Sequence, residues 1–446
     1  MNGSHGNDAN DGLSWATAKR TIANATGTVS AGGTVNIANG VYKGAGNTNI
    51  IINKSMTITG QSKSGTIING SNSAQIFKIL KDVNVILQNL TITNGNADSG
   101  GAIFNQGILY ITRSTFSQNS ASSRGAGGAI YNTGTLTVTG SAFTGNSAYV
   151  GSAIYNNGTL TAHFNRIFGY EYDRVDGGVV CIGSASVSIY NYRGTVDAEL
   201  NWWGHNNSPI IWHPPIETKP PTIEPGDPTG DISGFTVDKW LVLTVKTNSS
   251  SQVNTNLKIT ADLRYDNYGT LHTEGYVPNG IPITFTTTLG TISTKAYTVN
   301  GIAQATLKSA LGGTANVSAM LDSQQLFKLV KIIDKIPPKV SSTNPKNNAA
   351  GSSRTATISI KFNENIKTGT YWPKIYIKNM KTGKTAIISK SIKGNTLYIK
   401  MSSKRYAYTW YQVYIPKAAV KDISNNNLAA AYTFKFKTGK YPLDYQ

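Results

Sequence analysis

The sequence predicts an all-β chain, a parallel β-helix followed by two β-sandwich modules, and three observations carry that expectation. A five-residue motif recurs at intervals the length of one β-helix coil. A proline-rich stretch then ends the pattern, and beyond it apolar residues alternate at the period of strands. Composition agrees, because 45 glycines, with Asn, Ser and Thr in every window, favour turns and short strands over helices. At 446 residues the chain exceeds what one core supports, and about three domains are expected.

Gly101-Ala102-Ile103-Phe104-Asn105 returns as Gly128-Ala129-Ile130-Tyr131-Asn132 and as Ser152-Ala153-Ile154-Tyr155-Asn156, at spacings of 27 and 24 residues. Each copy leads into a glycine turn and a matching strand: Gly107-Ile108-Leu109, Gly134-Thr135-Leu136 and Gly158-Thr159-Leu160. No helix-length period runs through these units, which excludes a helical solenoid. Coils of this length, stacked at about 4.8 Å, build a parallel β-helix in which each coil hides its apolar face only by covering its neighbour. Ile103, Ile130 and Ile154 are then expected above one another in the core, as are Leu109, Leu136 and Leu160, and Phe116 over Phe143. Asn119 and Asn146 hold equivalent turn positions suited to an asparagine ladder, since asparagine tolerates left-handed backbone and its amide bonds the coil above. Less regular strands such as Val83-Asn84-Val85-Ile86-Leu87 extend the helix upstream, and about eight or nine coils fit between residues 30 and 205.

Both ends of such a helix need caps, because an open coil is an edge strand. Residues 13–22 read as a short amphipathic helix over the first coil, and Trp202-Trp203 as an aromatic lid over the last, with ligand stacking as the alternative role of those rings. The helix with its cap occupies residues 1–213. Residues 214–234 form a linker whose six prolines, from Pro214 to Pro228, are expected to hold the modules apart. Sandwiches follow over 235–336 and 337–446, with Ile281-Pro282-Ile283-Thr284-Phe285 typical of their strands and a boundary at Pro337-Pro338.

The net charge of +19 is unevenly held. Lys and Arg number 12 against 10 Asp and Glu in residues 1–217, 10 against 9 in residues 218–336, and 19 against 3 in residues 337–446. One module therefore carries nearly all the excess, which argues for a local docking surface rather than a general solubility device. Seventeen of its nineteen cations are lysines, flexible point charges, whereas base readout leans on the arginine fork. The expected partner is an anionic glycan or cell-wall polymer, or the surface of a host or partner cell, with no specific nucleic acid. A single cysteine, Cys181, rules out an intramolecular disulfide framework and a cysteine-based zinc site, and reads as an inert buried thiol. No apolar run approaches the roughly 20 residues of a membrane span, and no signal-peptide pattern follows Met1. The lysine-, Thr- and Asn-rich style, with sequons at Asn24, Asn53, Asn89, Asn157 and Asn316, suits an extracellular, cell-surface protein.

Catalysis has little to build on. Glycoside hydrolysis needs two carboxylates about 5–9.5 Å apart, and no Asp or Glu occurs from Ser99 to Tyr170. Glu171, Asp173 and Asp176 remain as candidates, with Asp197, Glu199, Arg166, Arg174 and Arg193 nearby in sequence, for a lyase using a metal and a base. The plainer reading of that cluster is a loop pairing its own charges. His5, His163, His205, His213 and His272 show no metal-ligand spacing, and neither a nucleophile elbow nor a phosphate-binding glycine motif is present, so no metal or cofactor is expected. Binding features are better placed. With the isoleucines pointing inward, alternation turns Phe104, Tyr131 and Tyr155 outward, as a stripe that stacks either sugar rings or itself. With Tyr411, Val413 and Ile415 in the last core, Trp410 and Tyr414 lie outside among lysines, a setting for an acidic glycan.

Some of these segments resemble known families. Gly12-Leu13-Ser14-Trp15, Gly33-Thr34-Val35 and Gly40-Val41-Tyr42, with the GAIYN-type repeats and Asn201-Trp202-Trp203-Gly204, resemble the pectin-lyase-like right-handed β-helices of methanogen adhesin-like proteins. Residues 254–322, through Gly280-Ile281-Pro282-Ile283-Thr284-Phe285 and Asn300-Gly301-Ile302-Ala303, resemble an invasin-type bacterial Ig-like domain. Residues 337–438, through Ile358-Ser359-Ile360-Lys361-Phe362-Asn363-Glu364 and Tyr432-Thr433-Phe434-Lys435-Phe436, resemble the Ig-like module common in S-layer proteins. These resemblances imply a right-handed parallel β-helix followed by two Ig-like β-sandwiches, in a non-catalytic adhesin-like or envelope protein. The helix would present itself for adhesion, and the basic last module would dock. Two alternatives stand beside this: a polysaccharide lyase or glycoside hydrolase acting in the helix groove, and the subunit of an extracellular filament joined through free strand edges.

Overall fold

The computed structural model describes residues 1–168, 181–182, 189–192, 194–208 and 235–440, and it is nearly all β. Three parallel sheets wrap into a β-helix whose second sheet runs over six rungs, from Gly40–Lys43 to Arg166–Phe168. The first sheet carries seven rungs, from Thr34–Ile37 to Thr195–Asp197, fewer than eight or nine because the coils are long. Thr34 pairs with Thr57 at the first step and Thr161 with Asp197 at the last, so a coil consumes between 23 and 36 residues.

Register follows the repeat. Ile103 sits opposite Ile130 and Ile130 opposite Ile154, Leu109 opposite Leu136 and Leu136 opposite Leu160, and Phe116 opposite Phe143, all of them buried. Each such side chain contributes about 1.5–3 kcal/mol by leaving water, which only the stacked neighbour makes possible. The stack also buries amides. Asn105 donates to Asn132, Asn132 to Asn156 and Asn156 to Asn191, at 2.7, 2.7 and 2.9 Å. A second ladder runs from Asn119 to Asn146 at 2.9 Å. The left-handed backbone expected at Asn119 and Asn146 instead falls one residue earlier, at Gln118 (φ 54°) and Gly145 (φ 61°). The asparagine itself turns inward, where its carbonyl oxygen receives the backbone N–H of the adjacent coil: Gly95 for Asn119, Asn119 for Asn146.

The amino-terminal cap differs from expectation. The helix spans Ile22–Thr28, with Thr21 as N-cap accepting from the Asn24 N–H. Asp8 fixes that cap by accepting from the Thr21 N–H and hydroxyl at 2.9 and 3.0 Å. Residues 13–20 form turns, and Leu13 is 88% exposed, because the cap chemistry starts the helix where the sequence pattern ends it.

The helix and the middle module are not held apart. Strand Phe235–Thr236 pairs with Val196 and Asp197 and extends the first sheet to eight strands. Trp203 belongs to the helix core and Trp202 to the sandwich core, both fully buried, so the lid is shared and offers no ring to a ligand. The sandwich hairpin at Leu321–Gln324 closes on this end. Asp322, 4% exposed, accepts from Arg166 through both carboxylate oxygens and from the Trp202 indole N–H at 2.7 Å. Proline-linker residues 214–234 lie outside the described residues.

The middle sandwich packs a four-stranded sheet on a five-stranded one, with Ile259, Leu307, Ile283, Phe285 and Val317 between them. In the last module a four-stranded sheet faces a three-stranded one made of Tyr376–Asn379, Trp410–Ile415 and Tyr432–Lys437, around Ile360, Phe362, Val413 and Phe434. Among the described residues no helix is long and apolar enough to cross a membrane.

Candidate ligand-binding surface

Phe104, Tyr131 and Tyr155 do face outward from the coil, but as a ladder. Ring centroids are 4.9 Å apart between the first two and 4.6 Å between the second pair, and Tyr190 continues the stack at 5.0 Å. Tyr155 is only 8% exposed, and burial together with the neighbouring tyrosines pushes its hydroxyl well above the ordinary tyrosine range. The faces that would meet a sugar are spent on one another. Glu171, Asp173 and Asp176 lie outside the described residues, as do Arg174, Arg193 and the side chain of Cys181. Arg166 is committed to Asp322 at the module junction.

The last module presents a different surface. Along Trp410–Ile415 alternate residues are buried, so Tyr411, Val413 and Ile415 fill the core while Trp410 and Tyr414 face out. Lys435 lies 5.3 Å from the Trp410 ring. Tyr376 pairs across the strands with Tyr414, and their rings stack at 5.1 Å. The segment before this strand is pinned alongside by the Gly369 and Tyr371 N–H groups, which donate to the carbonyls of Ala419 and Ala418 at 2.9 Å each. That contact raises Tyr371 and Lys374 as one wall of an open groove of about 640 Å³, with the Lys374 ammonium 4.0 Å from the Tyr371 ring. Lys417 and Asn427 also line it, and no carboxylate does.

Residues 334–438 match the family model of the bacterial Ig-like domain. No curated protein sequence matches the chain. Among solved structures, the adhesin InvE of Yersinia pseudotuberculosis is similar at 13% identity and a TM-score of 0.29, over 44% of this chain and 58% of that one. Invasin, a bacterial integrin-binding protein, is similar at 14% identity and a TM-score of 0.28, over 44% of this chain and 40% of that one. The N-terminal part of the bacterial S-layer protein SbsC is similar at 18% identity and a TM-score of 0.19, over 24% of each. The chain thus spans under two thirds of the adhesin's length.

Where the last module meets the middle sandwich, the fold gathers Asp334, Glu364 and Asp422, each with a carboxylate oxygen within 4.8 Å of the others. Asn426 donates to both Asp422 oxygens through its backbone and side-chain N–H groups at 2.8 Å, and the Ser424 hydroxyl approaches Asp334 at 3.3 Å. Burial, then the charges of Asp422 and Asp334, push the Glu364 carboxyl above its ordinary value. Sequence spacing could not reveal this trio, since its members come from three distant segments. Tyr371, Lys374 and Tyr376 were missed for the same reason: the pairing of Tyr376 with Tyr414 is a cross-strand fact. Their only local signal is the aromatic and lysine run from Tyr371 to Tyr376.

Proposed function

We propose that this chain is a non-catalytic, adhesin-like component of a cell surface, which docks to an anionic glycan or wall polymer through its last module. The observation that carries this is the charge partition: 19 cations against 3 acids in residues 337–446, and near balance elsewhere. Two of those acids, Glu364 and Asp422, are drawn together at the junction, so the lysine field has little internal compensation. The β-helix and middle sandwich serve as a stiff platform, joined by a continued sheet and a buried ion pair, and the long coils from Ser99 to Phe168 carry no carboxylate for hydrolysis.

The test is retention of the full-length chain on immobilised polygalacturonate and on a neutral glucan at rising sodium chloride. Retention on the acidic polymer alone, falling steeply with salt, is the expected result. Equal retention on both polymers, or retention that ignores salt, overturns the reading.

A further inference from the structure

The groove on the last module has more definition than a diffuse cationic field requires. Tyr376 and Tyr414, each half-buried, line it as a stacked pair, and Tyr371, 43% exposed, stands at its side. Lysines reach in from separate segments: Lys374 from the short helical turn at Trp372–Lys374, and Lys417 from the loop after the Trp410–Ile415 strand. Asn427 adds an amide with both a donor and an acceptor. Its volume falls within the range of about 300–1,000 Å³ typical of small-ligand sites.

We propose that this groove is a binding site for an acidic saccharide, one sugar ring lying on the Tyr376–Tyr414 platform and its carboxylate or sulfate held by Lys374 and Lys417. The inference rests on the anionic-polymer reading above and assigns it a place. Tyrosine faces suit a saccharide because a pyranose offers flat C–H surfaces for ring contact and hydroxyls for the tyrosine and amide groups at the edge. An anion suits the lysines, which meet no carboxylate in the groove. A nucleic-acid strand fits less well, since the module's two arginines are elsewhere. Arg405 is buried and donates to the Ser353 and Ala356 carbonyls, and Arg354 donates to the Arg405 carbonyl. The groove therefore lacks the planar fork that recognises phosphate bidentately.

The experiment titrates the full-length chain with oligogalacturonate and with its methyl ester by calorimetry, using wild type, Tyr414→Ala, Tyr371→Ala, the Lys374→Gln/Lys417→Gln pair, and Lys384→Gln as a control. Lys384 is exposed and does not line the groove. Binding of the acid and not the ester is expected, with a loss of about tenfold in each groove variant and less than about twofold in the control. Tyr371, on the wall and largely open, keeps the test decisive should Tyr414→Ala disturb the sheet. If polygalacturonate still retains the chain and the groove variants bind as wild type, the groove is wrong and the docking reading survives. Absence of any retention overturns both. Single-stranded DNA of equal charge that displaces the oligogalacturonate through the same residues overturns the saccharide assignment.

Discussion

The β-helix and the last module treat polar groups in opposite ways. Asn105, Asn132 and Asn156 lie fully inside the helix, and each spends its amide on the next coil and on a backbone carbonyl beside it. The lysines of the last module have almost no carboxylates to meet. The aromatic rows divide in the same way: Phe104, Tyr131 and Tyr155 consume one another's faces, whereas Tyr376 and Tyr414 form a pair that lines a groove. Repetition in the sequence thus marks where this molecule is satisfied, because identical residues on successive coils bond to each other. The proposed docking surface lies where the repeat has ended.

The strongest test of that division is the junction between the two regimes. Asp322→Ala leaves the Arg166 guanidinium and the Trp202 indole N–H facing each other without an acceptor, in a site the native carboxylate occupies at 4% exposure. Removing one partner of a buried pair typically costs about 3–5 kcal/mol. We expect the denaturant midpoint to fall accordingly, with faster amide exchange in both the last coil and the Leu321–Gln324 hairpin. A loss confined to one side breaks the view that helix and sandwich share an end.

Next in size is the ladder itself. Asn132→Ala takes the side-chain acceptor from Asn105, whose amide keeps the Gly107 and Thr135 carbonyls, and removes the Asn132 donor from the Asn156 carbonyl oxygen, and is expected to cost about 1–3 kcal/mol. Asn53→Ala, at an exposed position, serves as the comparison and should change the midpoint little. Similar losses at both sites would remove the distinction between satisfied and free asparagines.

The fold was legible because stacking writes itself into the sequence. Ile103, Ile130 and Ile154 had to be alike to cover one another, so their register followed from spacing alone. What could not be read was whatever depends on one local contact overriding a pattern. The bonds that Thr21 donates to Asp8 moved the cap helix beyond the amphipathic stretch. A single carboxylate on a hairpin, Asp322, joined modules that the prolines suggested were apart. On the last module the outward placement of Trp410 and Tyr414 followed from alternation, but the walls of the groove did not, because Tyr371 and Lys374 are positioned by backbone bonds to Ala418 and Ala419.

The two sandwiches should also separate by pH. Glu364 has its folded carboxyl raised by burial and by Asp422 and Asp334, so it holds a proton more tightly folded than unfolded. The last module therefore gains stability as pH falls from neutral through the folded value, and the gain is complete below the ordinary 4.5. Asp266 of the middle sandwich behaves oppositely. Burial works against its charge, yet hydrogen bonds from His272 and from the Thr270 and Tyr268 N–H groups hold it below 3.8. Its contribution is present above that value and is lost as pH falls through the lowered one. Calorimetry between about pH 3 and pH 7 should show the two transitions moving in opposite directions as pH falls. Glu364→Gln should flatten the last module's gain; a slope that survives the substitution assigns it to another group.

The smallest expected change is the most pointed. Lys435 lies over the half-buried Trp410 ring at 5.3 Å, an arrangement worth about 0.5–1 kcal/mol at a solvated site, and its ammonium stays in water folded or unfolded. Lys435→Gln should move the unfolding midpoint barely, whereas each lysine lost from the docking face should lower the salt sensitivity of retention on polygalacturonate. On the proposed reading Lys435 serves a partner and hardly the fold, the reverse of Asn132, which contributes to the fold and has no group left for a partner. Should Lys435→Gln destabilise the module as much as Asn132→Ala destabilises the helix, with retention unchanged, the lysines would be structural and the contrast between the two regions would fail.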